Sequence, residues 1–242
     1  MHIGKRIYQE RLRRRLAQYK ADGNTVLTTE HYTVGQASTI TVALQDALTH
    51  TSPVPDAFYF SGYANDVSTL LSYLPNNEPF ANLQVMGGDA LYELGSYHPS
   101  ARISWNRLHF TSFAYPYVWE MPGYSAQKPE FFTDYQNDFD PTHSHASTPY
   151  GWNLADGDTM LSYDATFTLL MAAKDTEKSQ VRINDEWLAL TRLNGPRAIQ
   201  GISGQIALGP DGDPINKAIV ILDVSTQGFI QMSSMVEGQF LL

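Results

Sequence analysis

The sequence predicts an α/β fold with a mainly parallel, three-layer lobe, in which helices cover the sheet, over about residues 1–150. The first observation is that short apolar segments bounded by turn residues alternate with segments of helical periodicity. The second is a composition of 43% hydrophobic and 17% charged residues, which is ordinary for a globular protein. Repeated strand, turn and helix segments are typical of a parallel sheet with helices on both faces.

The charge and residue content exclude several classes of function. The net charge of −9 over 242 residues argues against nucleic-acid binding, because that affinity comes mainly from Lys and Arg. The absence of cysteine excludes disulfides, thiolate metal sites and a cysteine nucleophile. No stretch reaches the roughly 20 apolar residues of a membrane-spanning helix.

The N-terminal segment predicts an amphipathic helix. Its basic residues are interleaved with an apolar stripe at helical spacing, formed by Ile3, Ile7, Leu12, Leu16 and Tyr19. A signal peptide would instead place an uninterrupted apolar run after a short basic region. The pattern favours a surface helix with a solvated basic face, and a membrane-surface helix is the alternative.

The following segments carry the alternation. Strands are predicted at residues 25–32, 57–60, 83–86 and 108–113, and helices at 39–48, 66–74 and 90–94. Further helices are predicted at 129–137, 163–173 and 186–193. Residues 201–208 and 218–224 predict two strands joined by the tight turn at 209–214.

Two predicted turns from strand to helix are candidate ligand contacts, because open parallel sheets bind ligands beyond the carboxyl ends of their strands. In the first, a strand ends at Gly62 and Tyr63 follows. In the second, Gly87 and Gly88 allow a tight turn and close approach of a ligand before Asp89. Asp89 can serve as a helix N-cap, as a carboxylate for a cationic ligand, or as both.

Other chemical signals are weaker. The stretch 138–145 contains two Asp and two His that could bind a metal, but its Pro and irregular spacing favour a solvated loop. Residues 211–213 lack the rest of an EF-hand loop and predict a turn. No catalytic or nucleotide-binding motif is found, so we predict a protein that is not an enzyme and has no cofactor or metal. Five aromatic residues lie close together in the sequence and predict either core packing or a wall on which a ligand stacks. They are Phe110, Phe113, Tyr115, Tyr117 and Trp119.

Several short segments, taken in order, resemble the type I periplasmic binding proteins, the leucine/isoleucine/valine-binding branch of ABC-transporter receptors. They are Tyr8-Gln9-Glu10-Arg11-Leu12, Asp56-Ala57-Phe58-Tyr59-Phe60-Ser61-Gly62-Tyr63, Met86-Gly87-Gly88-Asp89, Ser162-Tyr163-Asp164-Ala165, and Gly201-Ile202-Ser203-Gly204-Gln205-Ile206 followed by Asp211-Gly212-Asp213-Pro214. The resemblance implies that the cleft is lined by Tyr8, Tyr63, Ala64, Gly88 and Asp89. Asp89 would then meet the amino group of an amino acid or similar solute, and it replaces the Glu common in that branch.

The resemblance also implies how the chain is organised. Residues 1–150 would form the second ligand-binding lobe, 151–217 a partial return to the first lobe, and 218–242 a terminal strand crossing back. No segment resembles the rest of the first lobe. By this resemblance the protein is extracytoplasmic and delivers its solute to an ABC permease, although the chain shows no signal peptide. The alternative is a ligand-sensing regulatory lobe, or a remnant that acts through protein contacts.

The missing lobe leads to an expectation about the surface. In the family that the chain resembles, the helix at 163–173 covers the sheet of the first lobe, and that sheet would be absent here. Leu169, Leu170 and Met171 would then form an exposed apolar patch that favours self-association.

Overall fold

A computed structural model describes residues 17–49, 53–92, 97–145, 152–177, 190, 197–226 and 230–237. The strands are β1 Ala57–Phe60, β2 Gln84–Gly87, β3 Leu108–Ser112, β4 Ile199–Gly201, β5 Gly204–Ile206, β6 Ile219–Val224 and β7 Ile230–Glu237. Five of them form one sheet in the order β1-β2-β3-β6-β7, and β4 and β5 form a separate hairpin. The fold is therefore α/β, as predicted.

The main sheet is dominated by parallel strands. β1 pairs with β2 and β2 with β3 in parallel, whereas β6 is antiparallel to both β3 and β7. Four of the five strands therefore run in the same direction. Phe60 lies opposite Gly87, and Gly87 lies opposite Phe110, so the first three strands end at one edge of the sheet.

Among the described residues, helices pack on one face of this sheet, and the helical layer predicted for its other face is not seen there. The α-helices are α1 Ala37–Ala47, α2 Ala64–Tyr73, α3 Phe131–Phe139 and α4 Gly157–Glu177. The 3₁₀ helices are Asp89–Leu91, Pro99–Arg107, Pro116–Glu120 and Ser125–Gln127. α1 packs against α2, and α2 packs against Pro99–Arg107. None of the helices in the described part of the chain is long and apolar enough to span a bilayer.

Alternation along the strands separates a buried face from an open one. Val85, Leu108 and Leu222 are fully buried beneath the helices. On the other face, Tyr59 is 70% exposed and Met86 49% exposed. The described residues thus build one large apolar core between the helices and one side of the sheet.

A second, smaller core joins the segment after β3 to the hairpin. Its buried members are Ala114, Trp119, Phe132, Ala155, Met160 and Ile202. The indole N–H of Trp119 donates to the carbonyl of Ile202 at 2.7 Å. The buried carboxylate of Asp164 accepts hydrogen bonds from the backbone N–H groups of Ile202 (2.8 Å) and Ser203 (2.9 Å), which fixes the hairpin turn on α4.

Most predicted elements are confirmed, with shifted ends. Strand 57–60 is found with the predicted bounds, and the strands at 83–86, 108–113 and 218–224 are found within one or two residues. The helices at 39–48, 66–74, 129–137 and 163–173 are also found. Helix 90–94 is reduced to the 3₁₀ turn Asp89–Leu91 in the described residues. Most of the predicted N-terminal helix and of helix 186–193 lies outside the described residues, although residues 17–21 are helical.

Two predicted β elements are wrong. Residues 25–32 form no strand, because β1 is the last strand on that side of the sheet and nothing in the described residues pairs with this segment. Residues 201–208 and 218–224 do not form a hairpin with each other. β5 instead pairs with β4, and β6 pairs with β3 and β7, because the central sheet offers β6 two long partners.

Arg107 fixes the connection between α2 and β2. Its buried guanidinium donates to the carbonyl oxygens of Leu83, Pro75 and Phe80, each at 2.7 Å. The Phe80 carbonyl also accepts the N–H of Leu83 at 3.2 Å, so Arg107 adds to the backbone hydrogen bonds of this connection and joins three of its carbonyls through one side chain.

We expect Arg107→Met to lower the free energy of unfolding by about 2 kcal/mol, because the carbonyls of Leu83 and Pro75 lose the donor that Arg107 supplies. Arg102 lies in the same 3₁₀ helix and is exposed, so Arg102→Met is the matched control and should change stability by less than about 0.5 kcal/mol. Urea denaturation followed by circular dichroism measures both. Equal effects of the two substitutions would contradict the role assigned to Arg107.

Candidate functional site

The two turns that the sequence singled out lie side by side. β1 and β2 are parallel neighbours, and Phe60 lies opposite Gly87 at their ends. Tyr63 follows β1 as the N-cap residue of α2, and Asp89 follows β2 as the first residue of a 3₁₀ helix. The register therefore brings these two turns to the same edge of the sheet, as expected for a ligand site in an open α/β fold.

Tyr63 and Ala64 differ in what they can offer a ligand. The Tyr63 side chain is 49% exposed and makes no capping hydrogen bond. Ala64 is fully buried in the main core, so a contact with a ligand would have to use its backbone. Nearby, the imidazole of His98 and the amide oxygen of Asn65 are 2.8 Å apart in a hydrogen bond at the first turn of α2.

Only one of the two glycines is required by the structure. A Cβ on Gly87 would lie 2.3 Å from the end of the buried Leu91 side chain, so another residue here would have to displace that side chain. A Cβ on Gly88 would meet only the Tyr59 hydroxyl at 3.7 Å, and the φ of Gly88 is −102°, which any residue adopts. The tight packing that we expected from paired glycines thus depends on Gly87, and Gly88 leaves space at the edge.

Asp89 is not the helix cap that one interpretation predicted, because Gly88 occupies the N-cap position. The carboxylate of Asp89 is exposed and accepts one local hydrogen bond, from the backbone N–H of Ala90 at 3.1 Å. A carboxylate has about four acceptor positions, so a ligand donor can still bind there. Tyr8, the other predicted contact, lies outside the described residues.

The start of α4 adds two carboxylates to this edge that sequence reasoning missed. A Cβ on Gly157 would lie 3.2 Å from the Ala114 carbonyl, so α4 begins against the segment that follows β3. Asp156 accepts the N–H of Thr159 at 2.8 Å and caps this helix. Burial raises the pKa of Asp158, and the negative charges of Asp156 and Asp89 raise it further.

These features make the edge an anionic surface beside an exposed tyrosine. Bringing carboxylates together disfavours their ionised forms, and an incoming cation relieves that repulsion. The clustered negative charge therefore suits a cationic group, such as an ammonium.

The acidic and imidazole-rich stretch at 138–145 has a structural role in the described residues. Asp140 is 1% exposed, which corrects the expectation of a solvated loop at this position. It accepts the backbone N–H groups of Ser144 (2.9 Å) and His145 (3.2 Å) and thereby closes the loop. Desolvation acts to raise the pKa of Asp140, but hydrogen bonds from His145 and Ser144 lower it to about 2.

The aromatic run after β3 mostly forms core. Phe110, Tyr115 and Trp119 are buried, and the Tyr115 hydroxyl donates to the carbonyl of Ile230 at 3.1 Å. Phe113 and Tyr117 are 40% and 46% exposed. Packing is therefore the main role of the run, and the structure does not form it into a ligand-stacking wall.

We expect the pKa of Asp158 to fall towards its ordinary value in the variant Asp89→Asn, because one of the negative charges that raise it is removed. Carbon-detected NMR titration of the Asp side chains measures this pKa. Asp138→Asn removes an exposed carboxylate of α3 and serves as the control. If the pKa of Asp158 is the same in Asp89→Asn and in the unmodified chain, the two carboxylates do not share a site.

No protein-family model and no curated protein sequence matches this chain at a significant level. Solved structures do match. The branched-chain amino acid transporter substrate-binding protein LivJ from Streptococcus pneumoniae, in complex with isoleucine, is 14% identical, with a TM-score of 0.57 over 88% of this chain and 52% of LivJ.

An amino acid ABC transporter substrate-binding protein from Pseudomonas fluorescens is 10% identical, with a TM-score of 0.57 over 92% of this chain and 54% of that protein. An ABC transporter substrate-binding protein from Aeropyrum pernix is also 10% identical, with a TM-score of 0.55 over 84% and 49%. The chain thus spans about half the length of each. At these identities the likeness concerns the fold alone, and it confirms the resemblance seen in the sequence: the chain has the fold of the type I periplasmic binding proteins.

Proposed function

We propose that this chain forms one side of a solute-binding cleft and that its ligand is an amino acid or a related compound with an ammonium group. The observation that carries this proposal is the anionic edge, where burial and the negative charges of Asp156 and Asp89 raise the pKa of Asp158. Tyr63 supplies an exposed ring and hydroxyl at the same edge. The ammonium would pair with Asp89 through a charge-assisted hydrogen bond.

The similar structures support a transport role within this proposal. LivJ was solved with isoleucine, and the other two proteins are substrate-binding components of ABC transporters. By analogy, this chain would act outside the cytoplasm and deliver its solute to an ABC permease, without catalysis. The clustered carboxylates favour a ligand that is more cationic than isoleucine.

The organisation proposed from the sequence also fits the two apolar cores. Residues 1–150 would be the ligand-binding lobe, and the main core lies largely within them. Residues 151–217 would be the return to a first lobe, and they contribute Ala155, Met160 and Ile202 to the smaller core. Residues 218–242 would cross back, and β6 indeed rejoins β3 in the main sheet. A complete cleft would need a further lobe, which agrees with the half coverage of the similar proteins.

A second candidate is a lobe that acts through contacts with another protein, either as a ligand sensor or without a ligand. The observation in its favour is the apolar surface of α4, where Leu169 is 60% and Leu170 64% exposed. Paired exposed leucines of this kind are typical of interaction surfaces. The first candidate requires the carboxylates of the anionic edge for ligand binding, whereas the second requires the apolar surface of α4 for contact with another protein.

In the chain joined to an upstream lobe, we expect Asp89→Ala to weaken ligand binding by roughly tenfold or more, because one member of a buried charge pair is lost. Calorimetry against a panel of amino acids and amines gives the affinities. Asp46→Asn, an exposed carboxylate on α1, is the control and should leave them unchanged. The chain alone should bind the same ligands weakly, and undiminished affinity in Asp89→Ala would exclude the assigned contact.

We also expect the chain to self-associate through α4, and the double substitution Leu169→Ser and Leu170→Ser to reduce this association because it removes most of the exposed apolar patch. Light scattering over a range of protein concentrations measures the mass. Ile103→Ser is the control, since Ile103 is 69% exposed on a different helix. A monomer at all concentrations before any substitution would contradict the role of this patch.

A further inference from the structure

A solvent-open groove lies beside α3, formed by residues other than those of the Tyr63 and Asp89 edge. Its volume is about 480 Å³, within the usual range of sites for small molecules. It is lined by α3, by Ile202 of the hairpin turn and by Tyr163 of α4. The proposed cleft does not use any of these side chains, so the groove is a separate feature of the molecule.

A continuous series of aromatic rings forms the wall of the groove. Phe131, Tyr135 and Phe139 are four residues apart and therefore share one side of α3. The ring centroids of Phe131 and Tyr135 are 5.6 Å apart, and those of Tyr135 and Phe139 are 4.7 Å apart. The ring of Tyr163 continues the series at 4.6 Å from Phe131. Large aromatic surface therefore faces solvent here, with Phe139 55% and Tyr163 43% exposed.

Carboxylates accompany these rings along the helix. Glu130, Asp134 and Asp138 each precede one of the α3 rings in the sequence, line the same groove and are exposed. The described residues that line the groove include no Lys or Arg. Lys128 lies close by, but it pairs with Glu120 and sits 5.6 Å from the ring of the buried Phe132. The aromatic wall is therefore bordered by uncompensated negative charge.

We propose that this groove binds a weakly hydrated organic cation, namely a trimethylated ammonium group. The negative face of each ring attracts a cation, and the carboxylates of α3 add a longer-range attraction. A trimethylammonium group has no N–H to donate, so ring faces can replace its water shell without directed hydrogen bonds. A primary ammonium is held more strongly by water and needs such bonds.

The test is an NMR titration of the chain with choline, observed at the ring signals of Tyr135 and Tyr163. We expect saturable shifts at millimolar concentrations. The neutral compound 3,3-dimethyl-1-butanol has the same shape as choline and should bind at least about fivefold more weakly, because the cation's attraction to the rings is absent. Phe139→Leu and Asp138→Asn should each weaken choline binding by about two- to fivefold.

Two control variants separate this site from the rest of the molecule. Tyr73→Leu changes an exposed aromatic residue of α2, outside the groove, and should leave choline binding unchanged. Asp89→Asn should also leave it unchanged, although it is expected to damage the proposed cleft. Equal affinity for choline and its neutral analogue, no shift of the groove signals, or loss of choline binding in Asp89→Asn would each overturn the proposal.

Discussion

Parallel pairing of β1, β2 and β3 is the constraint on which the candidate site depends. Phe60, Gly87 and Phe110 are paired across the three strands, so the strand ends lie at one edge of the sheet. They lie together although helices separate the strands along the sequence. Tyr63 and Asp89 lie together only because of this register. A slip by one residue would exchange the buried and open faces of a strand, so burial of Val85 and Leu108 holds the register in place.

Polar groups near this edge divide between structural and chemical roles. Asp66 is 3% exposed, and its carboxylate accepts the N–H of Gly35 at 3.1 Å, which ties the loop before α1 to α2. Asp89 follows the neighbouring strand, yet its carboxylate is exposed and has only a local bond to Ala90. The backbone is thus supported without Asp89, which leaves that carboxylate available for a ligand.

Local sequence patterns are sufficient to predict those helices and strands whose formation depends mainly on their own residues. The apolar segment 57–60 and the helices at 39–48 and 66–74 could be predicted because the periodicity of their apolar residues matches the face that they bury. The pairing of β6 could not, since its partner β3 lies 114 residues away at the His109 and Asp223 contact. Segment 25–32 has strand-like composition, but a strand exists only where another strand accepts its hydrogen bonds.

The same limit explains which parts of the site were missed. Asp89 could be predicted from its position after a strand, whereas Asp156 and Asp158 approach it only through the packing of α4 against the segment after β3. Burial raises the pKa of the Tyr135 hydroxyl, and the negative charge of Asp156 raises it further, so this helix start acts on the groove as well as on the edge. A substitution at Asp156 would therefore affect both sites. Asp89 lies at the edge and is not among the residues that line the groove, whereas Phe139 lines the groove, so substitutions at these two positions can assign a ligand to one site.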